Sequence, residues 1–221
     1  MTVILAWNAH ANHPSQQGRV VLALSGWITA ETQVIALTEV KGARAALKRW
    51  AREHGFRLYQ EVGTHDPADE RGDTALLLRV KGKHAVKPRR DWIAFMGEAW
   101  TVFSHRVRHK PRRHRRATFL LPGGGRVRLS AEHWPTRGNR AAWDESYASA
   151  LRFLDRRTFG IVVGDLNADH RAVKDLAEDV GGKVRGERPD WLIANRGARI
   201  DVTELGHGGS DHAALLYQVA A

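Results

Sequence analysis

Short runs of consecutive apolar residues recur along the chain, and most of them stop at a polar side chain or a turn. Runs of this kind, without alternation, are typical of strands that are buried on both faces. The clearest are Val3 to Trp7, Val34 to Thr38 and Phe159 to Asp165. Further strands are predicted over 56–62, 74–80, 118–121, 126–131, 190–194, 200–205 and 213–219, with a weaker one over 101–107.

Apolar residues at helical spacing predict helices over 18–30, 43–54, 139–154 and 172–180. In the second of these, Ala46, Leu47, Trp50 and Ala51 form one face, and Gly55 suits the C-terminal cap. The chain contains no internal repeat and no linker rich in Pro, Gly or Ser. About ten strands and three or four helices therefore predict one α/β domain over residues 1–221, with two packed sheets and helices outside them.

The composition points to a polyanionic partner. The 221 residues carry a net charge of +11 and include no cysteine. Positive charge favours nucleic acid, phosphorylated ligands or an anionic membrane surface, and the lack of cysteine restricts metal ligands to carboxylate, amide and imidazole groups. No run approaches the ~20 apolar residues of a membrane span, and the N-terminus lacks the features of a signal peptide. We therefore expect a soluble cytoplasmic protein that does not act at a membrane.

The positive charge is concentrated between His105 and Arg116, a segment with six Arg, one Lys, three His and no acidic residue. A segment of this kind is often only a solvated loop, but this density favours contact with a nucleic-acid backbone. The candidate substrate-binding residues are Arg106, Arg108, Arg112, Arg113, Arg115 and Arg116.

Polar side chains flank the apolar runs at positions far apart in the sequence. In a layered fold, such residues lie on loops at one rim. Several carboxylates at one rim repel each other unless a cation lies among them, and oxygen ligands suit a hard ion such as Mg²⁺ or Mn²⁺. With histidines present, metal-assisted phosphodiester hydrolysis follows as a hypothesis. The flanking residues are Asn8, Glu39, His133, Asp165, Asn167, Asp190, Asp211 and His212.

At these positions the sequence resembles the endonuclease/exonuclease/phosphatase superfamily, which includes pancreatic-type deoxyribonuclease and exonuclease III-like enzymes. Leu166 replaces Phe in the family's GDFNA, and Thr38 replaces Gln in its IALQEV. Each motif is short, but six of them occur in the family's order. They are Trp7-Asn8, Ile35 to Val40, Glu132 to Pro135, Gly164 to Ala168, Asp190 to Ile193 and Ser210 to His212.

The resemblance implies a four-layer α/β sandwich, with two mixed sheets flanked by helices, and a role for each matching residue. Glu39 would be the main ligand of Mg²⁺ or Mn²⁺, helped by Asn8 and Asp211. Asp165 and Asn167 would orient the attacking water. His212 would contact the phosphate, Asp190 would hold its imidazole, and His133 would be a candidate general acid. Some relatives place, near one strand, an acid that pairs with the second His. Asp73 and Glu61 lie near the corresponding strand, but a role outside the site is favoured for both.

These arguments predict a monomeric Mg²⁺- or Mn²⁺-dependent nuclease, with DNA favoured over RNA. Two alternatives stay open: a phosphatase acting on a small or lipid-linked phosphate ester, and a catalytically inactive nucleic-acid-binding module. The chain is short for the family and leaves little room for duplex-wedging loops, so a general nuclease is favoured over a damage-specific one.

Overall fold

A computed structural model describes residues 1–60, 73–88, 113–138, 140–156 and 158–221. Twelve strands and four α-helices lie in these ranges. The strands are β1 Thr2–Asn8, β2 Val34–Thr38, β3 Phe56–Gln60, β4 Ala75–Arg79, β5 Lys87–Pro88, β6 Arg113–Leu120, β7 Arg126–His133, β8 Gly160–Asp165, β9 Lys183–Glu187, β10 Asp190–Ala194, β11 Arg199–Gly206 and β12 Ala214–Ala220. The helices are α1 Gln17–Trp27, α2 Arg44–Glu53, α3 Arg140–Leu154 and α4 His170–Asp179.

The strands form two six-stranded sheets with similar organisation. The first sheet has the order β11-β12-β1-β2-β4-β3, and the second has the order β5-β6-β7-β8-β10-β9. Each sheet has one parallel pair at its centre, β1 with β2 and β7 with β8, and antiparallel neighbours around it. Both sheets are therefore mixed, as predicted.

The alternation of side chains along each strand builds the layers. In β1, Ile4 and Ala6 lie in the core between the two sheets, whereas Leu5 and Trp7 pack under α1 and α2. This is the period of two expected for a strand. A third cluster lies between the second sheet and helices α3 and α4. The protein is thus a four-layer α/β sandwich, which confirms the predicted fold class.

The helices follow from local sequence as well as from packing. Helix α2 buries Ala46, Leu47, Trp50 and Ala51 against the first sheet, which is the face predicted from sequence. Helix α4 begins after Asp169, whose side chain accepts a hydrogen bond from the Ala172 backbone N–H and so caps the helix. Among the described residues, no helix is long and apolar enough to cross a membrane.

The structure differs from the predicted strands at β6, at β9 and at the short strand β5, which was also not predicted. Strand β6 begins at Arg113 rather than Thr118, because its ladder with β7 continues as far as the pair Arg113 and His133. Strand β9 was not predicted; its charged and polar residues alternate with partly buried ones at the edge of the sheet, so it has no apolar run. The predicted strand over 101–107 lies outside the described residues.

Candidate active site

Strand register gathers the candidate residues at one rim of the sandwich. Asn8, His133 and Asp165 are each the last residue of a strand, and Asp190 is the first residue of β10. His133 pairs with Asp165 across the β7–β8 ladder, and Asp165 pairs with Asp190 across β8–β10. Residues directly opposite each other in a ladder face the same side of the sheet, so these three side chains share one face.

A buried histidine–aspartate pair lies at the end of β7. The Nδ1 atom of His133 is 2.8 Å from Asp73 Oδ2, and both side chains are less than a tenth exposed. A carboxylate at Nδ1 fixes the tautomer and the ring orientation of a histidine. The structure thus places Asp73 in the site, contrary to the role outside it that the sequence favoured; its position just before β4 was the only signal in the sequence.

Two further carboxylates face the other side of the same imidazole. His133 Nε2 lies 3.6 Å from Asp165 Oδ2 and 3.9 Å from Glu39 Oε1. The ligand atoms of Glu39, His133 and Asp165 all lie within 4.8 Å of one another, so this group can hold a metal ion. Glu39 comes from the first sheet and the other two residues from the second, so the group lies across the junction of the sheets.

Asn8 links the two carboxylates. Its Nδ2 atom donates to Glu39 Oε1 at 3.2 Å and to Asp165 Oδ2 at 3.0 Å, while its Oδ1 accepts from the His10 backbone N–H at 3.2 Å. Asn8 thus presents an N–H group, not its oxygen, to the carboxylates. To act as a metal ligand, Asn8 would have to flip its side-chain amide so that Oδ1 faces the site in place of Nδ2.

The backbone around this cluster is locally strained. Four non-glycine residues in the described ranges have positive φ, and three of them are in or beside the site: His10 at 45°, Glu39 at 53° and Asn167 at 42°. Such conformations cost roughly 1–3 kcal/mol each and concentrate at functional sites. Gly164, at φ 137°, also needs to be glycine, because a Cβ atom there would collide with the backbone of Glu132.

The segment after β8 is held by hydrogen bonds on both sides. The backbone N–H of Asn167 donates to Asp165 Oδ1 at 3.0 Å, and its side-chain Nδ2 donates to the Trp134 carbonyl at 2.8 Å. The Trp134 backbone N–H in turn donates to the Asp165 carbonyl at 2.8 Å. These bonds fix the positions of Asp165 and Asn167 relative to Trp134.

A second histidine–aspartate pair lies beside the first. His212 Nδ1 is 2.6 Å from Asp190 Oδ2, and both side chains are mostly buried. The hydrogen bond to Asp190 raises the pKa of His212 to about 9, against the opposing effect of desolvation. Burial raises the pKa of Asp190 as well, but the bond to His212 favours its ionised form. The raised pKa of His212 favours its imidazolium form at neutral pH.

Asp211 lies further out than the other acids. Its side chain is 68% exposed, with Oδ1 3.2 Å from His10 Nδ1 and 3.9 Å from His212 Nε2. It is not part of the compact group formed by Glu39, His133 and Asp165. Arg19 braces the surrounding loops, because its guanidinium donates to the carbonyls of Gly208 at 2.8 Å and of His10 at 3.1 Å.

The basic segment meets expectation only in part. Arg106, Arg108 and Arg112 lie outside the described residues, and the position of Arg113 is described only as backbone in β6. Arg115 and Arg116 belong to the same strand, not to an open loop. Arg115 is 6% exposed, and the side chain of Arg116 is 15% exposed and turned toward α3. Consecutive residues of a strand face opposite sides of a sheet, so Arg115 and Arg116 point into different layers; their contact with substrate phosphates stays a prediction.

Arg116 instead belongs to a buried polar cluster on the outer face of β7. Its guanidinium donates to Ser149 Oγ at 2.9 Å and to Ser130 Oγ at 3.2 Å, and lies 3.4 Å from Glu132 Oε1. Glu132 also accepts from Ser130 Oγ and from Trp134 Nε1, each at 2.6 Å. Burial alone would raise the pKa of Glu132, but Arg116 and these donors lower it, so Glu132 is an internal carboxylate.

No protein-family model and no curated protein matches the sequence, but solved structures match the fold over its whole length. TDP2 from D. rerio, in complex with a single-strand DNA product, is 14% identical with a TM-score of 0.75, covering 100% of this chain and 99% of its own. An endonuclease/exonuclease/phosphatase family protein from Leptotrichia buccalis is 15% identical with a TM-score of 0.67, and each chain is fully covered. The mannosyl-6-phosphatase Bt3783 of Bacteroides thetaiotaomicron is 12% identical, with the same TM-score and coverage.

Proposed function

Since this chain has the fold of the endonuclease/exonuclease/phosphatase superfamily, we propose that it is a divalent-metal-dependent phosphodiesterase that hydrolyses nucleic acid, with DNA favoured over RNA. The observation that carries the proposal is the convergence, at one rim, of Glu39 and Asp165 with two histidines that are each held by an aspartate. A purely structural cluster does not need two oriented imidazoles beside acids from two different sheets.

The donor set fits a hard divalent ion. Glu39 and Asp165 supply carboxylate oxygens, and no Lys or Arg of the described residues forms an ion pair with either. Glu39 would be the principal ligand of Mg²⁺ or Mn²⁺, with Asn8 and Asp211 beside it, directly or through water. When bound, the ion would supply Lewis-acid stabilisation of charge on the phosphate oxygens.

We assign Asp165, supported by Asn167, to the orientation of the attacking water. Asp165 Oδ1 is held by the Asn167 backbone and Oδ2 by Asn8, so the carboxylate has a fixed orientation. A water that donates to this carboxylate would be held beside the scissile phosphate. Fixing the water in this way removes much of the entropic cost of the attack.

The two histidines have different tasks. His212 is protonated at neutral pH because of Asp190, and its Nε2–H can donate to a phosphate oxygen and stabilise charge that develops in the transition state. His133 is held at Nδ1 by Asp73, so Nε2 is the atom available to transfer a proton. We assign His133 as the general acid at the leaving oxygen.

The proposal is tested by incubating the protein with supercoiled plasmid, linear duplex DNA, single-strand DNA and RNA, each with Mg²⁺, Mn²⁺ or a chelator. Cleavage that requires the metal and is lost in Asp165→Asn and His212→Gln supports it. Cleavage that survives the chelator, or that both variants retain, would contradict it. Two variants outside the rim provide matched controls: Asp201→Asn at an exposed position of β11, and His84→Gln in the turn after β4.

A phosphatase acting on a small or lipid-linked phosphate ester is the second candidate, and the fold match to the Bacteroides mannosyl-6-phosphatase favours it. The same oriented groups would serve a terminal phosphate. Release of inorganic phosphate from sugar phosphates, nucleotides or phosphoinositides, without nicking of plasmid, would establish this candidate in place of the nuclease.

A further inference from the structure

Outside the rim, the described residues contain a strongly basic groove between helix α2 and the edge strand β3. Its cavity measures about 530 Å³, and six Lys or Arg side chains but no carboxylate line it. None of the six forms an ion pair with a carboxylate in the part of the chain that the structure describes. The basic residues of this α2–β3 groove are Arg44, Lys48, Arg49, Arg52, Arg57 and Lys81.

The spacing of the charges gives the groove a direction. Arg44, Lys48 and Arg52 follow each other at four-residue intervals in α2, so they form one stripe along the helix. With a rise of 1.5 Å per residue, neighbours in the stripe are about 6 Å apart along the axis. Lys48 and Arg52 are exposed, as are Arg57 and Lys81 on the other side of the groove.

The upper end of the groove adjoins the candidate active site. Gln60, which lines the groove, donates from Nε2 to the Val40 carbonyl at 3.1 Å. Val40 directly follows Glu39, and its backbone N–H donates to the Asp73 carbonyl at 3.1 Å. Both β3 and α2 extend from the rim toward the opposite end of the strands. The groove between them therefore leads away from the rim along the side of the molecule.

Like charges concentrated in this way repel one another and destabilise the fold unless a polyanion neutralises them. The buried Nε atom of Arg44 also has no hydrogen-bond partner among the described residues. A stripe of regularly spaced cations suits a chain of regularly spaced phosphates better than it suits a single compact anion.

We propose that the α2–β3 groove binds the sugar–phosphate backbone of a nucleic-acid strand whose scissile phosphate lies at the rim. The inference rests on the proposed nuclease function for its choice of polyanion. It assigns a second contact surface, separate from the Arg-rich segment that the sequence singled out. The contacts are to phosphates, so they add affinity without reading the base sequence.

The test measures binding without turnover. A fluorescently labelled single-strand DNA of about 20 nucleotides and one of about 4 nucleotides are titrated with protein in chelator, from roughly 50 to 300 mM salt. The groove variant combines Lys48→Gln, Arg52→Gln and Lys81→Gln. The control variant combines Arg126→Gln, Lys183→Gln and Arg199→Gln, three exposed basic residues that do not line the groove, and has the same net charge.

We expect the groove variant to bind the long strand about 10-fold more weakly and to lower the slope of log affinity against log salt by about 2, since each lost phosphate contact removes roughly 0.7. The short strand, which reaches only the rim, should be affected less than about 2-fold. The control variant should bind both strands within about 2-fold of the parent protein. Circular dichroism spectra of the two variants check that both are folded.

Two results would overturn the inference. If both variants weaken DNA binding equally, the effect is one of net charge alone. If the groove variant binds DNA like the parent protein but no longer binds vesicles of one-third phosphatidylserine, the groove is a membrane-binding surface. The assay also separates this inference from the proposed function. A protein that binds the long strand through the groove but cleaves nothing contradicts only the nuclease. If the protein cleaves DNA but the groove variant binds the long strand as tightly as the parent protein does, only the inference about the groove is contradicted.

Discussion

Strand β7 ends in two adjacent residues that belong to two very different charged clusters. Glu132 faces α3 and is 2% exposed, and Arg116, Ser130 and Trp134 all donate to it. His133 faces the rim, where Glu39 and Asp165 approach the imidazole without a hydrogen bond to it. In the first cluster, the charge and hydrogen-bonding capacity of Glu132 are met by neighbouring groups. In the second cluster, amide groups and an imidazole only partly neutralise the negative charge of two carboxylates.

The difference shows how a structural charge is distinguished from a functional one. A buried carboxylate that already has a cation and two strong donors has no unmet requirement and serves the fold. Carboxylates that converge at a rim on a strained backbone, with no Arg or Lys partner among the described residues, have an electrostatic requirement that a ligand can meet. Each cluster therefore responds differently to the loss of one member.

The largest expected effect is at the rim, on turnover. Asp165→Asn keeps the shape of the side chain but removes the charge that orients the water, so activity should fall about 1,000-fold. The unfolding temperature should change little, because removing one repulsive charge near Glu39 offsets the loss of one acceptor to Asn8 or Asn167. Steady-state rates and calorimetry measure the two effects. Activity within 10-fold of the parent would contradict the role of Asp165.

The next effect is on stability, in the closed cluster. Arg116→Met leaves Glu132 buried without its cation, so the free energy of unfolding should fall by about 3–5 kcal/mol. Urea denaturation measures the loss. The double variant Arg116→Met and Glu132→Gln removes the uncompensated charge and should recover part of it. A loss below about 1 kcal/mol in the single variant would show that Glu132 does not depend on Arg116.

A third effect is on pH dependence, at the His212–Asp190 pair. NMR titration of the His212 ring in chelator should give a midpoint near pH 9, and Asp190→Asn should lower that midpoint. Because the folded pKa is above the unfolded value of about 6.5, protonation of His212 stabilises the folded protein. This contribution is complete below about pH 6.5 and is lost as the pH rises through 9. An unchanged midpoint in Asp190→Asn would remove Asp190 as the cause.

The smallest expected effects are on stability and come from removing a single hydrogen-bond donor in each cluster. Ser130→Ala removes one of the donors to the buried Glu132 and should cost about 1 kcal/mol of unfolding free energy. Asn12→Ala removes an exposed donor that lies 3.1 Å from Glu39 Oε2 and should change stability by less than about 0.5 kcal/mol. Equilibrium denaturation of both variants measures the contrast, and equal losses would show that the two clusters do not differ in this way.

Much of the fold could be predicted because its signals are local. Apolar runs identified β1, β2 and β8, and helical periodicity identified the buried face of α2. Strand β9 was missed because an edge strand with charged residues has no apolar run, and β6 was predicted too short because its first residues are arginines. Their place in a strand depends on pairing with β7, which is a non-local interaction.

The candidate site shows the same division. Strand ends and short motifs identified the residues that the structure gathers at the rim, including Asp190 beside His212. They did not identify Asp73 as the partner of His133, because the two are 60 positions apart and no motif surrounds Asp73. Nor did the run of charged residues reveal that Arg116 is buried against α3, since composition carries no information about which side of a strand a residue occupies.

The hydrogen bond between Asn8 and Asp165 joins residues 157 positions apart and links the two sheets. The proposed activity would therefore be a property of the docked sandwich, because neither sheet alone contains the complete set of candidate groups. Activity measured during unfolding would report directly on the docking of the sheets. It should disappear together with the burial of the central core, even where the secondary structure of each half persists.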